Sequence, residues 1–523
     1  MKCASKWGMR RFATDSRGNF GLLASVVAVP LVMSAGVMVD LSTISRTKQE
    51  LQAAMDAAVL AVAREGEDLS DKDARAIANT FIGGNLVPAY TNLKVLRDGT
   101  AVTLEADTRA AMAFGGLFGY DFWPVKAAAS ADIAYAAYEI SLVLDTTGSM
   151  AGGKLTAMKD AVYGLIDDMS DQIKDRDRLK FSLVPFATFV NVGPQFGPAF
   201  DEKGKVVKDT GADWLDVHGR SDMPQTELVP GLSRFEVYHH LGQEWKGCVE
   251  TREPSKKGAH DVADTPAQKN DKASLFVPAF AIDEPDDEDR YRNSYIDSDA
   301  DPLDKTAKGT LKKLLKYGLV DLVGGGSWNR PDTDYDHGKG PGHGCDTQPI
   351  TPLTSDYGLL KKRVKALEAR GTTNIMEGVA WGMRVLSPHE PFSEGIAEDS
   401  GVEKIMIVLT DGSNVFGNRG NKLGSSYSSF GYLVDGRLGI GAGGSSTTTK
   451  LMNDKTLAAC RNAKADGVEI YTIRLEEPDV ETGSMLKECA SSPLHYFDTP
   501  SRSQLDEVFE RIRDGIVRLR IAS

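Results

Sequence analysis

An α/β fold is predicted for the bulk of this chain, preceded by one transmembrane helix and a small mixed domain. Three observations carry that expectation. Residues 20–39 form an apolar run without a charge. From residue 137 onward, short Ile-, Val- and Leu-rich runs alternate with stretches of helical period, the pattern of a doubly wound sheet covered on both faces. Two long stretches, one rich in Gly, Pro, Asp and Lys and one rich in Gly and Ser, interrupt the alternation without abolishing it.

The apolar run comes first. About 20 residues at about 1.5 Å each span a hydrocarbon core of about 30 Å. Lys2, Lys6, Arg10, Arg11 and Arg17 precede it against one acid, Asp15, and Asp40 follows it. The excess of cations before the run places residues 1–19 in the cytoplasm and the rest of the chain outside. Ser34-Ala35-Gly36 offers small residues for a cleaved signal, but the run exceeds an ordinary signal core of about 7 to 15 residues, so a retained anchor is expected. Gly18 precedes the run as in a prepilin, yet the fifth residue after it is Leu23 rather than Glu, and no processing is expected there.

Beyond the membrane, Leu51, Met55, Val59 and Val62 recur at helical spacing, which fits either a helix that continues from the membrane and packs this stripe on the next domain or a short independent amphipathic helix. Residues 40–136 read as that helix with a small mixed domain. Leu93 and Val95, then Val102 and Leu104, alternate with polar residues around Asp98-Gly99, the mark of a hairpin.

The α/β part opens with Ile140 to Leu144, a fully apolar strand that stops at Asp145. Leu155, Met158, Val162, Leu165, Ile166 and Met169 follow at helical period. Further strands are expected at 181–186, 405–409 and 468–473, and helices near 359–367 and 451–465. Residues 137–195 and 352–523 are read as the two parts of this domain. Residues 196–351 are too many for a structureless loop and are read as an inserted subdomain. Residues 413–448 are read as a second, glycine- and serine-rich insertion, mobile at 441–446.

Composition removes some functions. The chain carries 61 Lys and Arg against 74 Asp and Glu. A net charge of -13 does not suit a nucleic-acid surface and is compatible with cations. Cys3 precedes the apolar run, and Cys248, Cys345, Cys460 and Cys489 follow it. Four cysteines allow three pairings; Cys460–Cys489 and Cys248–Cys345 are expected in an oxidising compartment, each worth on the order of 3 to 5 kcal/mol, and free thiols in a reducing one. His337 and His343 near Cys345 lack zinc spacing, and Asp297, Asp299 and Asp301 lack the glycine and terminal acid of a calcium loop. No catalytic triad, phosphate-cradling loop or paired catalytic carboxylates stand out, and no enzyme is expected.

One constellation carries chemistry. Asp145, Thr147 and Ser149 put oxygen at alternate positions just after a strand, where open α/β sheets bind ligands. Asp411 closes another strand, and Gly371-Thr372-Thr373-Asn374 follows a helix. Asp145, Thr147, Ser149, Thr373 and Asp411 are therefore the candidate ligands of Mg²⁺ or another divalent cation, which takes oxygen donors at about 2.1 Å. Neutral hydroxyls leave such a cation electrophilic, able to accept a partner's carboxylate. Each residue alone would read as a helix cap.

This arrangement resembles the metal-ion-dependent adhesion site of von Willebrand factor A domains, Asp-x-Ser-x-Ser followed by a Thr and then an Asp. Thr147 stands where the first Ser usually stands, and Thr373-Asn374-Ile375 fits the family pattern better than Thr372. The wider chain resembles the TadG-like proteins of Tad (Flp) pilus assembly. That likeness rests on Gly18-Asn19-Phe20-Gly21, Gln52 to Ala58, Asp145 to Met150, Pro349 to Thr354, and Cys489-Ala490-Ser491-Ser492-Pro493. It implies a single-pass anchor in a bacterial inner membrane and a periplasmic A-type domain. It also implies pilus or secretion-system components as protein partners. A general envelope adhesion or matrix-binding protein is the alternative expectation.

Overall fold

The computed structural model describes residues 19–518 apart from 65–68, 86–88, 99–100, 133–136, 224, 229–230, 255–259, 287–290, 319–337 and 398–401. The chain divides into two compact units, the first ending at Tyr135 and the second starting at Ala136.

The first unit is built on α1, a single helix of 46 residues from Asn19 to Arg64. Its N-terminal half is long and apolar enough to cross a membrane, and there Val26, Leu31 and Met38 lie exposed. Pro30 sits inside it and leaves the Val26 carbonyl without its helical donor. Its C-terminal half is amphipathic. Leu51, Met55, Val59 and Val62 are fully buried, as their spacing predicts. They pack against α2 (Asp71–Asn85) and one face of a three-stranded antiparallel sheet. Its strands are β1 (Tyr90–Asp98), β2 (Ala101–Ala111) and β3 (Phe122–Asp132), in that order. Val102, Leu104, Ala106, Thr108 and Ala110 lie on the buried face, while the residues alternating with them are more exposed. The Asp98↔Ala101 pairing closes the predicted hairpin; residues 99 and 100 of its turn lie outside the described residues. The third strand was not legible in the sequence. It buries Val125, Ala127 and Ala129 and exposes Lys126 and Ala128, so its inner face is mostly alanine and contrasts little with its outer one.

The second unit holds a six-stranded sheet in the order β6-β5-β4-β7-β8-β9. The strands are β4 (Ala137–Asp145), β5 (Leu179–Phe186), β6 (Thr351–Thr354), β7 (Val402–Thr410), β8 (Val468–Leu475) and β9 (Tyr496–Thr499). All pairs are parallel except β5 with β6. β4 lies at the centre and is buried along almost its whole length, which is why it reads as an unbroken apolar run. Alternate side chains serve opposite faces. Ile140, Leu142 and Leu144 pack with α3 (Gly153–Gln172), α6 (Tyr357–Lys365) and α10 (Leu505–Arg518). Val143, Val184, Met406 and Val408 pack with α7 (Ile375–Arg384), α8 (Ser445–Ala465) and α9 (Val480–Cys489).

Two short helices, α4 (Arg234–His240) and α5 (Ala307–Lys316), lie in the long stretch between β5 and β6. This stretch shares its core with the sheet. α7 is buried on every side, and Trp381 meets Phe276 with ring centroids 5.0 Å apart. The chain joins this stretch before residue 196: Asn191 already bridges to Cys248 and Pro349. At its far end Thr351 belongs to β6 and hence to the sheet, one residue earlier than the boundary read from sequence.

Buried charge is balanced locally. Glu250 meets Arg234 at 2.9 Å and Arg437 at 2.7 Å, and Lys316 meets Glu227 at 2.9 Å and Asp283 at 2.8 Å. Disulfides join Cys248 to Cys345 and Cys460 to Cys489, the expected pairing. The 413–448 stretch, read as a glycine- and serine-rich insertion, has an apolar anchorage that its composition does not announce. Phe416, Phe430, Tyr432, Leu433 and Leu438 are buried, and α8 begins at Ser445, so aromatic anchors override the glycine-rich composition.

Candidate metal centre

Parallel register brings the first two segments together. Leu144 pairs with Leu409, so Asp145 and Thr410 end neighbouring strands at one sheet edge. The Thr410 hydroxyl donates to Asp145 Oδ2 at 2.6 Å, and the Thr147 N–H donates to Asp145 Oδ1 at 2.8 Å. Both oxygens of this fully buried carboxylate are therefore engaged. The turn that follows runs through Gly148–Met150 and delivers Thr147 and Ser149 to the same side, their hydroxyls 3.0 Å apart.

The third segment arrives through backbone hydrogen bonds. Arg370 N–H donates to the Thr146 carbonyl at 2.8 Å, and Gly148 N–H donates to the Gly371 carbonyl at 3.1 Å. This clamp directs the two threonines differently. The Thr373 hydroxyl donates to Thr147 Oγ1 at 3.4 Å, whereas Thr372 Oγ1 lies 3.1 Å from Thr188 Oγ1. Asn374 then caps α7, its side chain accepting from the Glu377 N–H at 3.4 Å.

Asp411 completes the cluster. It accepts from the Ser149 hydroxyl at 2.6 Å and from the Lys154 ammonium at 2.7 Å. The loop carrying it is tied to the Thr373 segment, since Val415 N–H donates to the Thr373 carbonyl at 2.9 Å and Asn414 Oδ1 accepts from the Ile375 N–H at 2.8 Å. A Cβ added to Gly412 would lie 3.1 Å from Thr373 Oγ1, so the loop approaches the hydroxyls closely. All five residues singled out in the sequence thus converge at one place.

Burial and a second carboxylate both act on Asp145. Burial, and then the neighbouring negative charge of Asp411, push the Asp145 carboxyl up to about 6. Hydrogen bonds from Thr147 and Thr410 act the other way. Among the described residues, no group of three or more His, Cys, Asp or Glu is placed to hold a metal. A cation here would rest on two carboxylates and three hydroxyls, a donor set suited to a hard ion.

Sequence reasoning missed three residues of this site: Lys154, Thr410 and Asn414. The signal for Lys154 was its place in the first turn of α3, directly after the Gly152-Gly153 bend. Thr410 and Asn414 flank Asp411 but become recognisable only through the partners they meet.

Residues 18–65 match the family described as Flp pilus-assembly TadE/G-like. The match covers α1, and less than a tenth of the chain. No curated protein matches. Several solved pilus proteins are similar at low scores. The pilus adhesin SpaC from Lactobacillus rhamnosus GG gives a TM-score of 0.31 at 11% identity, over 82% of this chain and 35% of that one. This chain therefore spans about a third of that adhesin's length. The von Willebrand factor domain of the type V pili tip protein Mfa5 from Porphyromonas gingivalis gives 0.33 at 9%, over 74% and 98%. The minor pilin PilB from Streptococcus sanguinis gives 0.33 at 10%, over 82% and 79%. At these scores the description of the fold rests on sheet order and register.

Proposed function

We propose that this chain is a membrane-anchored component of Tad (Flp) pilus assembly or anchoring, binding a protein partner through a divalent cation. In this reading residues 20–39 of α1 cross a bacterial inner membrane, and the second unit lies in the periplasm. That unit is a doubly wound von Willebrand A-type domain, interrupted by a large insertion between β5 and β6. The match of residues 18–65 to the TadE/G-like family supports the pilus role. Two disulfides suit an oxidising compartment.

The convergence of five oxygen-bearing side chains from three distant segments carries the metal reading. Ligands at about 2.1 Å in octahedral geometry lie about 3.0 Å from their neighbours. The side-chain oxygens of Thr373, Thr147, Ser149 and Asp411 are spaced 3.4, 3.0 and 2.6 Å in turn. Mg²⁺ or a similar ion would be held by Asp145, Thr147, Ser149, Thr373 and Asp411, directly or through water. When bound, it supplies an electrophilic centre for a partner's carboxylate. Pilus or secretion-system proteins are the partners this reading names.

A binding role is favoured over an enzymatic one. Three of the five side chains are neutral hydroxyls, and both oxygens of Asp145 and of Asp411 accept one hydrogen bond each within the cluster, which holds them in place as ligands while each oxygen keeps a second lone pair for a cation. The test is Asp145→Ala in the pilus-bearing cell. Piliation is lost while the protein stays folded and in the membrane fraction. Normal piliation in that variant would sink the metal-edge mechanism.

A further inference from the structure

The turn between β2 and β3, together with the first two residues of β3, is unusual in what it exposes. Leu117, Phe118, Tyr120, Phe122 and Trp123 are each 47% to 75% exposed, five large apolar side chains within seven residues. Isolated exposed hydrophobics need no explanation, but a contiguous group of this size does.

Its position supplies one. The Phe114 ring lies against the backbone of α1: a Cβ at Gly36 would fall 2.5 Å from Phe114 Cγ. One helical turn later, Asp40 is buried under the same loop. Its carboxylate accepts from the N–H groups of Ala113 at 2.7 Å, Phe114 at 3.1 Å and Gly115 at 2.8 Å. The loop is thus fastened to the last turn of the apolar run and the first charge after it. Gly36 lies about 6 Å along the helix axis from Asp40, inside the apolar stretch.

The backbone of the loop is already provided for. Met112 N–H donates to the Asp121 carbonyl at 3.0 Å, Leu117 N–H to Phe114 at 3.0 Å, Gly119 N–H to Gly116 at 3.2 Å and Tyr120 N–H to Gly115 at 3.0 Å. With the three donors held by Asp40, most of the turn's N–H groups have internal acceptors. That lowers the cost of bringing a non-helical segment to the headgroup level, where water still reaches the N–H groups left over. Tyr and Trp, with an apolar body and a polar tip, are the side chains that settle at the headgroup level.

We propose that this turn is an interfacial anchor, dipping its apolar tip into the outer-side leaflet of the membrane that α1 crosses. The occupant is lipid. Continuity with the apolar face of α1 selects it, because the loop sits on Gly36 and Asp40, whose helix neighbours Val37, Met38 and Val39 are exposed apolar side chains at the end of the membrane-crossing run. The anchor would restrain rotation and tilt of α1 and hold the β1–β3 sheet close to the surface. The inference rests on the reading of α1 as a membrane span, and the test separates the two.

The full chain with Cys3→Ser, so that the remaining cysteines are the disulfide-bonded four, carries a single environment-sensitive fluorophore at Leu117→Cys, Phe118→Cys, Leu31→Cys or Asp171→Cys. Each is reconstituted in phosphatidylethanolamine–phosphatidylglycerol vesicles. Labels at 117 and 118 are expected to lose roughly half their emission to a lipid bearing a doxyl group near its headgroup, and to resist aqueous iodide. The label at 31 should be quenched by lipid and the label at 171 by iodide. Iodide access at 117 and 118, with 31 still quenched by lipid, overturns the anchor and leaves the span standing. Protection of 117 and 118 from both quenchers also overturns it, and assigns the patch to a protein, such as a second copy. Iodide access at 31 overturns the span and the anchor together.

Discussion

The Lys154 ammonium lies 2.7 Å from Oδ2 of Asp411, whose side chain is wholly buried. Lys154 is the one cation among the described partners of the oxygen cluster. It neutralises one of two carboxylates and leaves the other, Asp145, unbalanced. A divalent ion entering the cluster meets this ammonium as a like charge. Lys154→Met should therefore tighten Mg²⁺ binding by at least about tenfold, since like charges a few ångströms apart repel by several kcal/mol even at an intermediate dielectric. Calorimetric titration of the full chain in detergent reads this directly. Unchanged or weaker affinity would mean that the ammonium supports the site and does not compete for it.

Asp145 makes stability and cation binding depend on pH in opposite ways. Its carboxyl is raised from 3.8 to about 6 in the fold. Below about pH 4 both folded and unfolded chains hold the proton. Between about 4 and 6 only the folded chain holds it, so its contribution is fully present at low pH and lost as pH rises through about 6. The amount is about 3 kcal/mol for a shift of this size. With chelator present, wild type should lose this increment between pH 4 and 7 relative to Asp145→Asn. Because Asp283, Glu377 and Asp435 are raised by burial too, the difference between the two proteins is the quantity to follow in denaturant melts. Parallel pH curves would rule out the Asp145 assignment. Mg²⁺ affinity should fall as pH drops through the same range, because the ligand must ionise.

Adjacent threonines should behave differently. Thr373 joins the cluster through Thr147, whereas Thr372 meets Thr188. Thr373→Ala should weaken cation binding by about tenfold, the cost of one good oxygen contact, and Thr372→Ala should leave it within about twofold. Terbium luminescence is a convenient readout. An equal loss in both variants would show that the effect travels through the backbone clamp at Gly371.

Glycine has opposite value on two helices. A Cβ at Gly382 of α7 would fall 2.5 Å from Val143 Cγ2 and 3.0 Å from the Met406 sulfur, whereas one at Gly164 of α3 meets nothing within 4 Å. Gly382→Ala should cost about 1–3 kcal/mol through overpacking against the central strand. Gly164→Ala, in an open helical position, should add about 0.5–1 kcal/mol. Chemical denaturation of both variants checks the pair, and a neutral Gly382→Ala would mean that α7 can move off the sheet.

Some of this protein could be read from its residues in order. The unbroken apolar run of β4 and the helical stripe of α3 announced themselves because burial on one or two faces imposes a period. The stripe at Leu51, Met55, Val59 and Val62 did the same for α1. Other elements stayed hidden. β6 and β9 are four residues each, too short for any period to show. α7 is buried on all sides, so it has no polar face to contrast with an apolar one.

The oxygen cluster divides in the same way. Asp145, Thr147 and Ser149 could be grouped from the sequence because one strand end and one turn hold them within five positions. That Asp411 lies beside Ser149, 262 positions away, is settled by the parallel register of β4 with β7. Thr373 is preferred to Thr372 in the sequence by the likeness of Thr373-Asn374-Ile375 to a family pattern, and its contact with Thr147 appears once backbone hydrogen bonds at Arg370 and Gly371 bring the segment to the turn. Side-chain chemistry is local and is written in the residue types. Proximity between distant segments is a property of strand register and backbone pairing, and the charge balance that brings Lys154 onto Asp411 exists only once those segments meet.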